Sequence, residues 1–328
     1  MRPSVSILIP CFNAERWIGQ AIESALAQSW PNKEVIVVDD GSTDGSAEIA
    51  SGYGERIRFE RAPNRGSNPT RNRLLELAQG DWLQYLDADD YLKPEKVASQ
   101  VAALDDHPDV DVLFGPSIVE WHANGSTYVT FEEIRQPHDP WQLLALWRLP
   151  QTGAPLWRKS AVKEVGAWAV GQPCCQEHEL YLRLLMAGKR FRYDRATGSV
   201  YRRFATGSLS TRDPALVRGE RLKIEKRLED HLQSIGELTP ERQWAINQGR
   251  FEMARIAWNQ NRSEARAILA TIAAAKSFRP VGPAAPPLYR LAFRLLGFEV
   301  AERIAAINRI AFRPMHPAPG RRARIATD

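Results

Sequence analysis

At 328 residues, with 44% hydrophobic and 25% charged side chains, the chain is an ordinary globular composition, long enough for a well-buried core and an appendage. Three cysteines argue against a disulfide framework, and no stretch approaches the roughly 18 uninterrupted apolar residues of a membrane span. The net charge of +5 is uneven: residues 215–328 hold 20 Lys and Arg against 11 Asp and Glu, leaving an acidic balance on residues 1–214. No helix-turn-helix, zinc-finger or RNA-binding signature accompanies that basic third, so nucleic acid is not an expected partner.

The chain opens on strand-like Ser4-Val5-Ser6-Ile7-Leu8-Ile9, with no basic and apolar leader before it. With the cysteine usage, this gives the expectation of a cytoplasmic protein, free or peripheral on the inner face of a membrane. Residues 5–10 read as a first buried strand, and Asn13 as the cap of a helix over 14–28. Residues 34–39 read as a second strand. It ends in Asp39-Asp40-Gly41-Ser42-Thr43-Asp44-Gly45, a turn rich in acids, hydroxyls and glycine. A third strand is expected at 56–61. A helix follows, with Asn68 as N-cap, Pro69 at its first position, Arg71 near its start and Gly80 as its stop.

The run 82–86 is short, apolar and aromatic, and reads as a buried strand leading into Leu86-Asp87-Ala88-Asp89-Asp90. Carboxylates about 4 Å apart repel by roughly 1 kcal/mol even in bulk water. A hard divalent cation relieves that repulsion, and Mg²⁺ is typically held by one or two carboxylates plus substrate phosphates. A helix over 94–104 and a strand over 110–115 complete an alternating pattern. Such alternation predicts right-handed βαβ units, a mostly parallel sheet flanked by helices, and both acid-rich loops on one sheet edge. No G-x-G-x-x-G follows the first strand, and no phosphate-cradling G-x-x-x-x-G-K-[ST] is present.

Residues 119–122 and 127–131 flank Asn124-Gly125 as a hairpin. A strand at 156–158, a helix over 159–165 and a helix after Cys174-Cys175-Gln176-Glu177-His178-Glu179 follow. Further helices are expected over 215–234 and 239–259, with a third capped by Ser263 through 275. Residues 277–287 are Pro-rich and read as a linker. Residues 288–312 form an amphipathic segment, and arginines outnumber acids five to two between 288 and 313. The expected division is therefore a catalytic domain over 1–212, with halves at about 1–115 and 116–212. A helical extension at 213–276, the linker, and an amphipathic helix with a basic tail at 288–328 complete it. The last segment has the pattern of an interfacial helix at an anionic membrane, or of a terminal helix docked on its own protein.

Taken in order, Val5 to Asn13, Val37-Val38-Asp39-Asp40-Gly41-Ser42-Thr43-Asp44, Pro69-Thr70-Arg71-Asn72, Gly80-Asp81-Trp82 and Leu86 to Asp90 resemble the family 2 glycosyltransferases, which have the GT-A fold. The resemblance covers about residues 3–205. It implies transfer of a sugar from a nucleotide diphosphate sugar to a glycan or lipid-linked acceptor, with inversion. It implies that Pro10, Phe12, Asn13, Asp40, Arg71 and Asp87 line the nucleotide, and that Asp89 holds Mg²⁺ or Mn²⁺. The family's Glu-Asp-x-Asp segment aligns with Gln176 to Glu179. Glu177 falls at the catalytic base, Gln176 replaces an acid, and Glu179 takes the third position. Trp157, Glu179, Arg202 and Arg203 fall on the acceptor side, the two arginines in a stretch resembling the family's mobile donor-covering loop. A signature of processive synthases is absent, favouring single transfers in a surface-glycan pathway. The rival readings are a sugar-nucleotide-forming nucleotidyltransferase, which lacks its glycine-rich loop here, and a non-catalytic sugar-nucleotide-binding or scaffold protein. The presence of Asp40, Asp87, Asp89 and Glu177 together favours catalysis.

Overall fold

The computed structural model describes residues 3–123, 126–204, 213–273, 277–311 and 323–324. The chain divides into two compact units. One holds Met1–Pro140, Leu149–Val217 and Arg321–Asp328; the other holds Trp141–Arg148 and Arg218–Gly320.

The first unit opens with β1 (Val5–Cys11), α1 (Ile18–Leu26), β2 (Lys33–Asp39), α2 (Ser46–Ser51), β3 (Arg58–Arg61), α3 (Ser67–Leu77) and β4 (Trp82–Tyr85). After β5 (Tyr91–Leu92), α4 (Lys96–Leu104) and β6 (Val112–Phe114) comes the hairpin β7 (Ser117–Ala123) and β8 (Ser126–Glu132). Helix α5 (Pro140–Ala145) passes into the second unit at Trp141. Strand β9 (Leu156–Arg158), α6 (Lys159–Glu164), α7 (Gln176–Met186), β10 (Phe191–Tyr193) and β11 (Ser199–Phe204) return to the first.

The main sheet runs β10-β6-β9-β4-β1-β2-β3 and is parallel except at β9, which is antiparallel to both neighbours. The expected α/β architecture is therefore present. Strands β1 and β4 are buried almost throughout, as continuous apolar runs covered on both faces must be. Strand β1 pairs with β2 on one side and β4 on the other, so the chain reverses its direction of growth at β1. The carboxyl ends beside such a reversal are where open α/β sheets receive ligands. A second sheet, built around β8-β7-β11-β5, sets β11 parallel to β7 and antiparallel to β5.

Several boundaries differ from expectation. Helix α1 begins at Ile18 rather than 14, because Asn13 is drawn elsewhere: its φ is 48° and its Oδ1 accepts from the Thr43 amide at 2.9 Å. Asn68 lies inside α3, where its Nδ2 donates to the Ala169 carbonyl at 2.7 Å instead of capping. Strand β11 was not expected; its residues 202–204 fall in the stretch that resembles the family's donor-covering loop. Residues 205–208 of that loop, and the hairpin tip 124–125, lie outside the described residues.

The second unit contains 141–148 with α8 (Pro214–Ser234, from Arg218), α9 (Pro240–Trp258), α10 (Arg262–Ala270) and α11 (Pro287–Ala311). Thr239 caps α9 as expected, while Asn261 rather than Ser263 caps α10. Residues 277–287 are not a free linker: Phe278 and Ala285 are buried with Phe251, Trp258, Ile268, Tyr289 and Phe298. Of the expected C-terminal segments, residues 218–273, 277–287 and 288–311 thus belong to one compact unit. Helix α11 is interrupted at Gly297, where φ is 79° and ψ is 177°.

Candidate functional site

The site is built where β1, β2 and β4 end. Two loops are laced together there by side-chain bonds to backbone amides. The Asn13 amide donates to Ser42 Oγ at 2.9 Å, the Ala14 amide to Ser46 Oγ at 2.8 Å, and the Gly45 amide to Glu15 Oε2 at 2.8 Å. These bonds explain the hydroxyl-rich composition of the turn after β2. Asp40 is buried and accepts from the Arg65 amide at 2.8 Å and the Gly66 amide at 2.9 Å. One lone pair on each of its oxygens is therefore committed to a loop, leaving the others for a ligand. Gly41 has φ of +73°, and a Cβ there would lie 2.7 Å from the Asn64 nitrogen. Gly41→Ala is expected to lower stability by about 1–3 kcal/mol through left-handed strain and backbone collision, read as a fall in Tm. An unchanged Tm would mean that the turn re-forms at no cost.

Pro10 lies in β1 opposite Val38, and Phe12 stands half exposed just beyond the strand. Across the sheet, the turn after β4 closes through the Asp90 amide, which donates to the Asp87 carbonyl at 3.0 Å. Its three carboxylates have different surroundings. Asp87 receives Arg71 Nη2 at 2.9 Å. Asp89 is pushed up to about 6, by burial first and by repulsion from Asp87 second. Asp90 is fully buried and pushed well above the carboxylate range by burial and both neighbours, although the Arg202 amide donates to its Oδ1 at 2.7 Å.

This donor set fits a divalent cation. Burial first, and neighbouring carboxylates second, disfavour ionisation of Asp89 and Asp90, and Asp90 Oδ2 finds no hydrogen-bond partner among the described residues. No closed cage of three or more His, Cys, Asp or Glu side chains exists among the described residues. Hard cations that complete their shell with substrate phosphates need none.

Arg71 joins the acid turn to the start of α7. It is buried over the Trp168 ring at 4.8 Å, and its Nη1 donates to Gln176 Oε1 at 2.9 Å. Gln176 Nε2 in turn donates to Ser67 Oγ at 2.9 Å. The next residue, Glu177, stands half-buried in the first turn of α7. Burial would raise its carboxyl, but hydrogen bonding and charge from His178, with help from Arg71, outweigh this and hold it at about 2. Glu177 is therefore ionised at neutral pH.

The structure does not bring every expected residue to this site. Trp157 is 0% exposed, stacked on Tyr181 at 5.0 Å and set edge-on to Trp168. It is core and cannot stack on an acceptor. Glu179 is 4% exposed and pairs with Arg183 at 2.8 Å, whose guanidinium also holds the Val165 and Ala167 carbonyls. It braces α7 rather than facing an acceptor. Arg202 is 4% exposed on β11: Nη1 donates to the Asp89 carbonyl at 2.9 Å, Nε to Glu120 at 3.1 Å, and the guanidinium lies over Trp17 and Tyr91. It fastens the acid turn from below instead of closing over a diphosphate. Arg203, also on β11, is exposed over the Trp121 ring at 5.0 Å. The motifs named Gln176 and Arg202 but not their contacts, Gln176 with Arg71 and Arg202 with the acid turn. Val200 and Phe204, two positions to either side along β11, are the apolar signal that could have placed Arg202 on their face.

Comparison with known proteins agrees with this fold. The description "Glycosyl transferase family 2" matches residues 6–161. An uncharacterised glycosyltransferase of Rickettsia typhi is 35% identical over 129 residues, 39% of this chain and 41% of its own. An uncharacterised glycosyltransferase of Escherichia coli, YibD, is 33% identical over 153 residues, 45% of this chain and 40% of its own. The chain spans no more than 41% of the length of these relatives. Residues 1–349 of S. aureus TarS, solved in complex with UDP-GlcNAc, superpose with a TM-score of 0.60 at 17% identity, over 81% of this chain and 78% of that one. That likeness concerns the fold. The ordered motifs, the sheet and these matches agree, and the chain carries a family 2 glycosyltransferase domain of the GT-A type over residues 6–161.

Proposed function

We propose that the protein transfers a sugar from a nucleotide diphosphate sugar to a hydroxyl of a glycan or lipid-linked acceptor, with inversion at the anomeric carbon. The observation that carries this reading is the Arg71 bridge, which ties the acid turn at Asp87 to the segment presenting Glu177. The acceptor oxygen forms a bond to the anomeric carbon as the bond from that carbon to the diphosphate oxygen breaks. The electron pair leaves with the nucleotide diphosphate, and the acceptor proton passes to Glu177. The base and ribose rest against Pro10, Phe12, Asn13 and Asp40, with Arg71 and Asp87 beside them. Asp87 and Asp89 would hold Mg²⁺ or Mn²⁺, which supplies positive charge where the leaving diphosphate gains negative charge. A role in surface-glycan assembly, in the cytoplasm or at its membrane face through 288–313, extends this reading.

Thermal unfolding with UDP or GDP, each with and without Mn²⁺, tests it. Ligand at about a hundredfold excess over its Kd adds about 2.7 kcal/mol to the native state. A rise in Tm with nucleotide and cation together is expected. No rise with either nucleotide under any condition would defeat the reading.

A further inference from the structure

Helix α11 is two amphipathic segments, divided at Gly297. After the break, Phe298 and Ala301 are buried in the core of the second unit, and Arg255 donates to buried Glu302. Before it, Tyr289 is buried with Ala292 and Phe293 beside it. The other face is bare. Leu288, Leu291, Leu295 and Leu296 are 76%, 55%, 67% and 56% exposed. Positions 288, 291 and 295 recur at helical spacing and form one stripe. Four such leucines in nine residues are a patch, unlike the single apolar residues normal on a surface.

The charge on this segment has one sign. Arg290 and Arg294 are exposed, and no acid occurs between Pro287 and Phe298. The first acid beyond, Glu299, is held by Arg266 at 2.7 Å. A second copy docked on the same face would set this acid-free, basic segment against itself. An anionic bilayer offers phosphate oxygens to the arginines and an apolar layer to the leucines in one continuous surface. The segment cannot cross it: nine helical residues span about 14 Å, against a hydrocarbon core of about 30 Å. No helix among the described residues is long and apolar enough to do so.

We propose that residues 288–296 lie in the headgroup layer of an anionic membrane, with the four leucines reaching the acyl boundary and Arg290 and Arg294 on lipid phosphates. This deepens the proposed transfer by naming the surface where a lipid-linked acceptor is met, and it rests on that reading for the acceptor alone.

The test is flotation of the full chain with vesicles of equal parts phosphatidylglycerol and phosphatidylcholine, against vesicles of phosphatidylcholine alone. Binding to the anionic vesicles that weakens with added salt is expected. Replacing Arg290→Gln and Arg294→Gln together should weaken it by roughly 25-fold. Replacing Leu291→Gln and Leu295→Gln together should weaken it by roughly 100-fold. Both pairs are exposed, so an unchanged Tm is expected and separates lost contact from lost fold. Equal binding to both vesicle types, parent-like binding by both double variants, or no binding at all would overturn the proposal. So would a dimer in sedimentation velocity that the leucine variant dissolves, which would assign the face to a second copy. UDP and GDP affinity is measured on the same samples. Vesicle binding without nucleotide binding would fail the proposed transfer and leave the membrane contact standing.

Discussion

Glu177→Gln is expected to lower kcat for sugar transfer by about 10²–10⁴ and to leave nucleotide affinity near that of the parent. The substitution keeps shape and removes the proton acceptor. Glu177 sits in the first turn of α7, where the helix dipole favours a carboxylate, and His178 and Arg71 hold it at about 2. Such a carboxylate is a weak base toward a free hydroxyl. It suffices if the proton leaves only after bonding to the anomeric carbon has made the acceptor oxygen acidic. The sign of the pH effect follows from the depressed value. The stabilisation gained by ionised Glu177 is present above its ordinary value of 4.5 and is lost as pH falls toward about 2. The acidic limb of a kcat/KM profile should therefore lie well below 4.5 if this group sets it. Glu179→Gln is the control. Its carboxylate is committed to Arg183, so the expected loss is in Tm rather than turnover. Full turnover in Glu177→Gln with none in Glu179→Gln would move the base by one short step along the helix.

The legible parts of the site were those fixed by local chemistry. Consecutive acids at the end of a buried strand, and a glycine in a turn that only glycine fits, carry their meaning in adjacent residues. Asp40, Asp87 and Asp89 were placed just beyond the ends of β2 and β4 this way. What could not be read was the direction of side chains whose partners lie far off in sequence. Arg202 could have faced a donor or the interior; its bonds to the Asp89 carbonyl and Glu120 span 113 and 82 residues. Trp157 could have been a sugar platform or core, and only the arrival of Tyr181 and Trp168 beside it decides for core. Asn13 and Asn68 have the right side chain for a helix cap, but each makes a longer-range bond instead. Residues 277–287 have a linker's composition, yet Phe278 and Ala285 are buried in the second unit. Composition reports what a segment can do alone, and burial decides the rest.

The departure at Gln176 also acquires a physical meaning. An acid there would give Arg71 two carboxylate partners. Gln176 accepts the same guanidinium without a charge, so Asp87 is the one anionic side chain bonded to Arg71 among the described contacts. Positive potential is thereby left beside the expected path of a diphosphate. The neutral bridge still fixes α7 by way of Ser67, so positioning survives while charge is altered.

Asp89→Ala is expected to weaken cation-dependent binding of UDP or GDP by more than the roughly 10- to 100-fold typical of losing an outer-shell partner at a metal site. Cation-independent affinity should change little. Asp89 faces Asp87 across a turn closed by the bond from the Asp90 amide to the Asp87 carbonyl, and both carboxylates are partly withdrawn from water. Without a cation, that proximity is repulsive, so Asp89→Ala should not lower Tm in metal-free buffer. Arg71→Met gives the opposite sign. It strips Asp87 and Gln176 of a buried partner and should lower Tm whether or not metal is present. The two variants thus separate a residue that waits for a cation from one that holds the site together. Calorimetry of nucleotide binding with Mn²⁺ and with chelator, on parent and variant, gives the deciding comparison. Equal cation-dependent affinity in parent and Asp89→Ala would remove Asp89 from the metal site, and a lowered metal-free Tm in that variant would make it a structural acid of the turn.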